Sequence, residues 1–381
     1  MTRRDLLKAA LGGSGAALAA PFINRNRYRL FAGRQAVYSQ RAIDLIRSTT
    51  VMDMLSALRL DGSGALWRTP DTFTPVDVKK FRDSGISVFH IGFGIGGVDA
   101  YANVLRDLGL RNGFLAHHHA SLMRIDSPAG LDGVKASGKV GVLLGIQNSE
   151  HFRTVNDVDF FHALGQRVSQ LTYNVRNLIG NGHSERRDDG ISSFGVDVIR
   201  RMNTVGMAID VSHCGVQTTL DAFDLSSRPV LITHANCRAL NPGQTRCKTD
   251  EAIRKMAARG GVMGITGIRQ FVKATEPTTI EDMLDHYDHV RRLVGVQHLG
   301  LGSDIDLDGN DDRPPEELRA AQASVRDSVG FRDKMDIEGV DHPKRVFDLT
   351  EGLIRRGYSD ADIRLVLGDN FRRVLKEIWA V

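Results

Sequence analysis

Two histidines stand at the ends of apolar runs of strand length: His213 in GMAIDVSHCG and His234 in PVLITHANC, each after a small hydroxyl residue, Ser212 and Thr233. Asp304 follows a third such run, HLGLGS. Two neutral imidazoles from neighbouring strands plus a carboxylate make a ligand set suited to Zn²⁺ or a similar divalent cation. A single bound cation of that kind lowers the pKa of water to roughly 7 and polarises a carbonyl. Asp304 has a second candidate task as general base. Gln147 and Tyr173 close two more runs; the amide oxygen is a further candidate ligand, and a phenol can donate to a developing oxyanion. One histidine at a strand end is more often structural, and it is the pair that argues for metal. His117, His118 and His119 read as a partly exposed helical cluster, and His90, ending the second run, as a residue facing the mouth of the site.

Such residues need a scaffold that brings strand ends to one face. Apolar runs recur at 51–55, 87–93, 140–146, 168–173, 206–212, 229–234, 261–266 and 298–303. Helical patterns ending in Gly, the preferred residue after a helix terminus, lie between most of them. Eight alternations of strand and helix predict a (β/α)₈ TIM barrel of the metal-dependent hydrolase type, with its site at the C-terminal ends of the strands. No G-x-G-x-x-G or Walker-type loop supports a nucleotide fold. The first run, VMDML, is the exception: past Asp53 it runs out into Leu55 and Ala57, which carry no chemistry.

The chain divides into residues 1–20, a basic linker or helix over 21–48, and one barrel domain over 49–381. An acidic loop, 305–340, follows the last strand and is expected to cover the site. Its D-x-D-x-D-G opening at Asp304 imitates a calcium loop, but the twelfth position is Pro315 rather than Glu. Residues 1–47 carry nine Lys/Arg and two Asp/Glu, leaving 41 basic and 44 acidic residues from totals of 50 and 46. The net charge of +4 is therefore terminal, and the body has no basic stripe for nucleic acid. TRRDLLK followed by a Gly/Ala-rich stretch resembles a twin-arginine export signal, which predicts a periplasmic or secreted protein. No run approaches the 18 or so apolar residues of a stable membrane span. Cys214, Cys237 and Cys247 lie near the histidines, and three readings stay open for them: a thiolate ligand, a disulfide, or buried packing.

The stretches QLTYNVRNLIGNG, GMAIDVSHCG, PVLITHANCRAL, RCKTDEAI, HLGLGSDID and HPKRVFDLTEGLIRRGYSDADIRLVLGDNFRRVL resemble the membrane (renal-type) dipeptidase family, zinc peptidases on an amidohydrolase-like barrel. The likeness runs from about residue 140 to the C-terminus and is weaker before it. It implies that His213 and His234 bind the second of two zinc ions. It also implies that Asp304 moves protons beside the metal-bound water and that Arg246 grips the substrate's terminal carboxylate. Tyr173 replaces a histidine that polarises the scissile carbonyl. A small-molecule or dipeptide substrate is implied, and a homodimer fits the family.

Three departures fall on the first zinc. Its ligands in a D-G-H-x-D pattern align with Leu55 and Ala57, and the glutamate that bridges both ions aligns with Gln147. Two dications beside a single carboxylate would repel strongly in a low-dielectric cleft. The sequence thus predicts one metal ion at most, in a divergent hydrolase of a dipeptide or small amino-acid derivative with a free carboxylate. A lyase or isomerase on the same scaffold, or a silent ligand-binding barrel, are the alternatives.

Overall fold

A computed structural model describes residues 38–56, 70–312 and 334–381, with a few single positions between the last two stretches. The segment read as an export signal, most of the basic linker, Ala57 and much of the acidic loop lie outside the described residues. Among the described residues nine parallel strands form the sheet: β1 Met52–Asp53, β2 Val88–Ile91, β3 Leu122–Arg124, β4 Val140–Ile146, β5 Val168–Gln170, β6 Ala208–Asp210, β7 Ile232–Ala235, β8 Met263–Ile265 and β9 Leu299–Leu301. Their order is β6-β5-β4-β2-β1-β9-β8-β7, with β3 attached to β4 alone. Val211 N–H to Leu231 O at 3.0 Å and Leu231 N–H to Ile209 O at 2.8 Å join β6 to β7 and close the barrel. All eight apolar runs are barrel strands, so the (β/α)₈ expectation holds. The reading missed β3: Leu122, Met123 and Arg124 grade from buried to exposed, and no apolar run marks them.

Helices form where caps and amphipathic spacing agree. Ser193–Val205 starts under Ser192, whose hydroxyl accepts from Gly195 N–H, and stops at Gly206 in the left-handed region at φ 74°. Ile280–Val294 begins with a Thr279/Asp282 capping box. Inside the barrel, Met52, Val88, Leu143, Val168, Ala208, Leu231 and Val262 pack with Phe371, Val374 and Leu375 of the last helix. Met52, Val88, Val168 and Ala208 open their strands and Leu231 and Val262 directly precede theirs, so the apolar fill belongs to the N-terminal half. The polar residues are left for the C-terminal half. That division places the chemistry.

Candidate functional site

His213 and His234 meet at the C-terminal ends of β6 and β7, with their Nε2 atoms 3.0 Å apart. The hydrogen bonds behind them fix both tautomers. His213 Nδ1 lies 2.7 Å from Asn174 Oδ1, which can only accept, so that nitrogen carries the proton. Thr233 gives its hydroxyl hydrogen to Asp210 Oδ2 at 2.8 Å, and Ser212 gives its own to Asp210 Oδ1 at 2.6 Å. Thr233 Oγ1 therefore accepts from His234 Nδ1 at 2.8 Å. Both Nε2 atoms are left with lone pairs aimed at one another. Burial, reinforced by the positive charge of Arg246, holds both imidazoles well below their ordinary pKa, so no proton bridges them at neutral pH. Two neutral nitrogens at this separation suit one cation bound at about 2.0–2.1 Å from each. The residues fit one divalent metal ion.

Among the described residues no comparable pair of nitrogens stands where the first ion's ligands align. Leu55 is buried at the end of β1, and the Asp53 carboxylate is spent on Ser303: N–H to Oδ1 at 2.8 Å and hydroxyl to Oδ2 at 2.6 Å. Arg345 adds a buried ion pair to Asp53 Oδ2 at 3.2 Å. Gln147, at the end of β4, donates its amide to Gly92 O at 2.8 Å, which leaves the oxygen as its one donor atom for a metal. Among the described residues no group of three or more His, Cys, Asp or Glu side chains is arranged to hold a metal ion. The pair His213/His234 is what the structure brings together.

Tyr173 is half-buried and stacks its ring on His213 at 4.3 Å between centroids. Burial and then the Asp304 charge push its phenol up to about 12, so it remains a donor at neutral pH. Asp304, half-buried, takes the left-handed conformation at φ 60° that Asp tolerates better than most side chains. Arg246 is fully buried beneath the histidines. Its two amino groups donate to the carbonyls of Ser212 and His234, the latter at 2.9 Å, and its Nε is buried with no hydrogen-bond partner. The structure thus gives Arg246 the backbones of both histidine turns as partners, which the sequence did not foresee.

His90 is 2% exposed and donates from Nδ1 to Met54 O at 2.6 Å; its ring packs over Gly145, where a Cβ would lie 2.1 Å from its Nε2, and that Nε2 is buried with no hydrogen-bond partner. His117 and His119 are exposed at a helix end, away from the site. All three cysteines are buried and free; Cys214 Sγ accepts from the Thr172 hydroxyl, and Cys237 Sγ and Cys247 Sγ point at the carbonyls of His286 and Phe271, which is the arrangement of packed thiols.

The sequence reading also missed Asn174, His183, Asp210 and Lys248. His183 reaches the same Asn174 oxygen at 3.1 Å and is pushed down to about 3 by burial and the nearby cations. Lys248, buried and brought down to about 7, donates to Val211 O at 2.6 Å and Cys214 O at 2.9 Å, clamping the turn that presents His213. Asp210 was the findable one: a carboxylate three residues before His213 at the end of a strand points into the same layer.

Residues 40–323 and 329–381 match the family model described as membrane dipeptidase, peptidase family M19. The dipeptidase tcpJ of Claviceps purpurea is 29% identical over 246 residues, 64% of this chain and 52% of that protein. The dipeptidase verJ of Clonostachys rogersoniana is 28% identical over 248 residues, 64% of this chain and 57% of that protein. The chain thus spans about half the length of these curated relatives. An amidohydrolase structure from Pseudomonas aeruginosa aligns with a TM-score of 0.76 at 26% identity, covering 89% of this chain and 99% of that one. A metallo peptidase from Rhodobacter sphaeroides, liganded with a phosphinate mimic of the dipeptide L-Ala-D-Ala, shares the fold with a TM-score of 0.71 at 17% identity, covering 87% and 99%.

Proposed function

The chain belongs to the membrane dipeptidase family, and on that premise we propose that it is a metal-dependent hydrolase of a dipeptide or small amino-acid derivative, working with one divalent ion. The observation that carries the proposal is the facing pair of Nε2 lone pairs, 3.0 Å apart and locked by Asn174 and by the Asp210–Thr233 chain. His213 and His234 would hold the ion, with Gln147 or Asp304 completing its shell. Bound there, the ion supplies an acidified water and a polarised carbonyl. With Gln147 in the shell, Asp304 would be free to act as the general base for water. Tyr173, kept protonated, donates to the oxygen that gains charge. Arg246 supplies the positive field that selects a substrate with a free carboxylate. Export by the twin-arginine route is part of the same proposal. Among the described residues no helix is long and apolar enough to cross a membrane.

Metal analysis of protein purified without added metal tests the reading. About one divalent ion per chain is expected, lost together with dipeptide turnover in His213→Ala and His234→Ala. Protein holding no metal, with activity indifferent to both histidines, would overturn it. Metal-loaded protein inert toward a full dipeptide panel would point instead to non-hydrolytic chemistry.

A further inference from the structure

At the opposite end of the barrel, beside the N-terminal ends of β2 and β4, lies a cavity of ≈ 630 Å³. That size is usual for small-molecule sites, which run to about 300–1,000 Å³. Its charged lining is one-sided: Arg47, Arg82, Lys135, Lys139 and Lys344 against Asp83 alone. The Asp83 carboxylate is already engaged, 2.6 Å from Lys79 Nζ. The imbalance is local, since the chain from residue 48 onward has more acidic than basic residues.

The cations are of two kinds. Lys135 is anchored by donating to Ile46 O at 3.0 Å and to Thr49 O, and Lys344 by donating to Asp83 O. Each ammonium has three donors, so neither is used up. Burial lowers the pKa of both, which a bound anion would offset. Arg47, Arg82 and Lys139 have no hydrogen bond or ion pair from their side chains to any described residue. One wall is aromatic. Tyr38 and Phe347 pack with ring centroids 4.9 Å apart, and the Tyr38 hydroxyl is tied to Asp348 at 2.9 Å. Ile43, Ile46 and Ile86 add apolar surface.

We propose that this cavity is a second binding site, separate from the histidine pair, for a small organic phosphate. The guanidinium groups of Arg47 and Arg82, with the lysines, take the phosphate oxygens, and the apolar part of the ligand rests on the Tyr38–Phe347 wall. Inorganic phosphate alone fills little of the space and gains nothing from that wall.

Calorimetric titration of the full chain with phenyl phosphate and with inorganic phosphate tests the site. Saturable, salt-sensitive binding of phenyl phosphate, tighter than that of inorganic phosphate, is expected. An Arg47→Glu/Arg82→Glu variant should weaken it at least about tenfold. The exposed-surface control Arg200→Glu and the catalytic-end variant His213→Ala should bind as the parent does. Equal affinity of the double variant and the parent would overturn the proposal. So would loss of binding in His213→Ala, which would place the anion at the histidine pair. Binding to phosphatidylserine-containing vesicles without any to phenyl phosphate would assign the cavity to a lipid surface, against a soluble ligand.

Discussion

Asp304 donates its backbone N–H to the carbonyl of Leu55 at 2.7 Å. The strand that brings no ligand to its end therefore still decides where the carboxylate after β9 stands. Asp53 reinforces this by accepting both the N–H and the hydroxyl of Ser303, one residue before Asp304. Strand β1 has exchanged side-chain chemistry for positioning.

The role of that carboxylate can be separated from its conformation. Asn occupies the left-handed region as readily as Asp, whereas Ala at φ 60° carries a penalty of roughly 1 kcal/mol or more. Asp304→Asn is expected to lower kcat on a dipeptide substrate at least about 100-fold with the urea midpoint unchanged. Asp304→Ala should lose both activity and stability. Full activity in Asp304→Asn would remove Asp304 as the base.

Thr233→Val tests the chain that orients His234. It deletes the hydroxyl between Asp210 Oδ2 and His234 Nδ1, and frees the imidazole to place its proton on either nitrogen. Loss of such an outer partner typically costs about 10–100-fold in metal affinity. Competition with a chromophoric chelator should read that loss, and ¹⁵N spectra should show a mixed tautomer at His234. Parent-like metal affinity with a single Nδ1–H tautomer would show that the relay is dispensable.

Arg345 is fully buried, and its guanidinium gathers Asp53 Oδ2, Ser56 Oγ and the carbonyls of Ile305, Asp306 and Leu307. Removing one partner of a buried pair strands the other charge. Arg345→Met is expected to destabilise the fold by about 3–5 kcal/mol in urea unfolding. Adding Asp53→Asn should restore part of that loss. Strict additivity of the two substitutions would show that the pair is not coupled in the folded state.

Much of this was legible because barrel chemistry obeys position: apolar runs name the strands, and the residue after each run is the one at the mouth. His213, His234, Tyr173, Gln147 and Asp304 were singled out that way, and the structure sets the first two with Nε2 atoms 3.0 Å apart. What stayed hidden was second in line. Asn174 and His183 sit on a loop whose path no periodicity reveals, and Arg345 reaches Asp53 across 292 positions of sequence. His90 is buried as the site histidines are, and the missing side chain of Gly145 makes room for its ring.

The buried histidines make the fold sensitive to acid, and His286 shows how. His286 donates from Nε2 to Val272 O at 2.8 Å and accepts from Cys237 N–H at Nδ1 at 3.0 Å, an arrangement that only the neutral ring can make. Burial brings its pKa down to about 4, as it does for His151. In the unfolded chain both return to about 6.5, so below that pH the unfolded state binds more protons than the folded one. Their stabilising effect is therefore complete above about pH 6.5 and drains away as pH falls toward 4, at up to about 1.4 kcal/mol per pH unit for each ring. Urea unfolding between pH 6.5 and 5, before most carboxylates titrate, should show the summed slope of these rings and of the other histidines that burial lowers, His90, His162, His183, His213 and His234. His286→Gln can keep both hydrogen bonds without a titrating group, and it should flatten the slope by one ring's share. An unchanged slope in His286→Gln would mean that the ring already takes up its proton in the folded state.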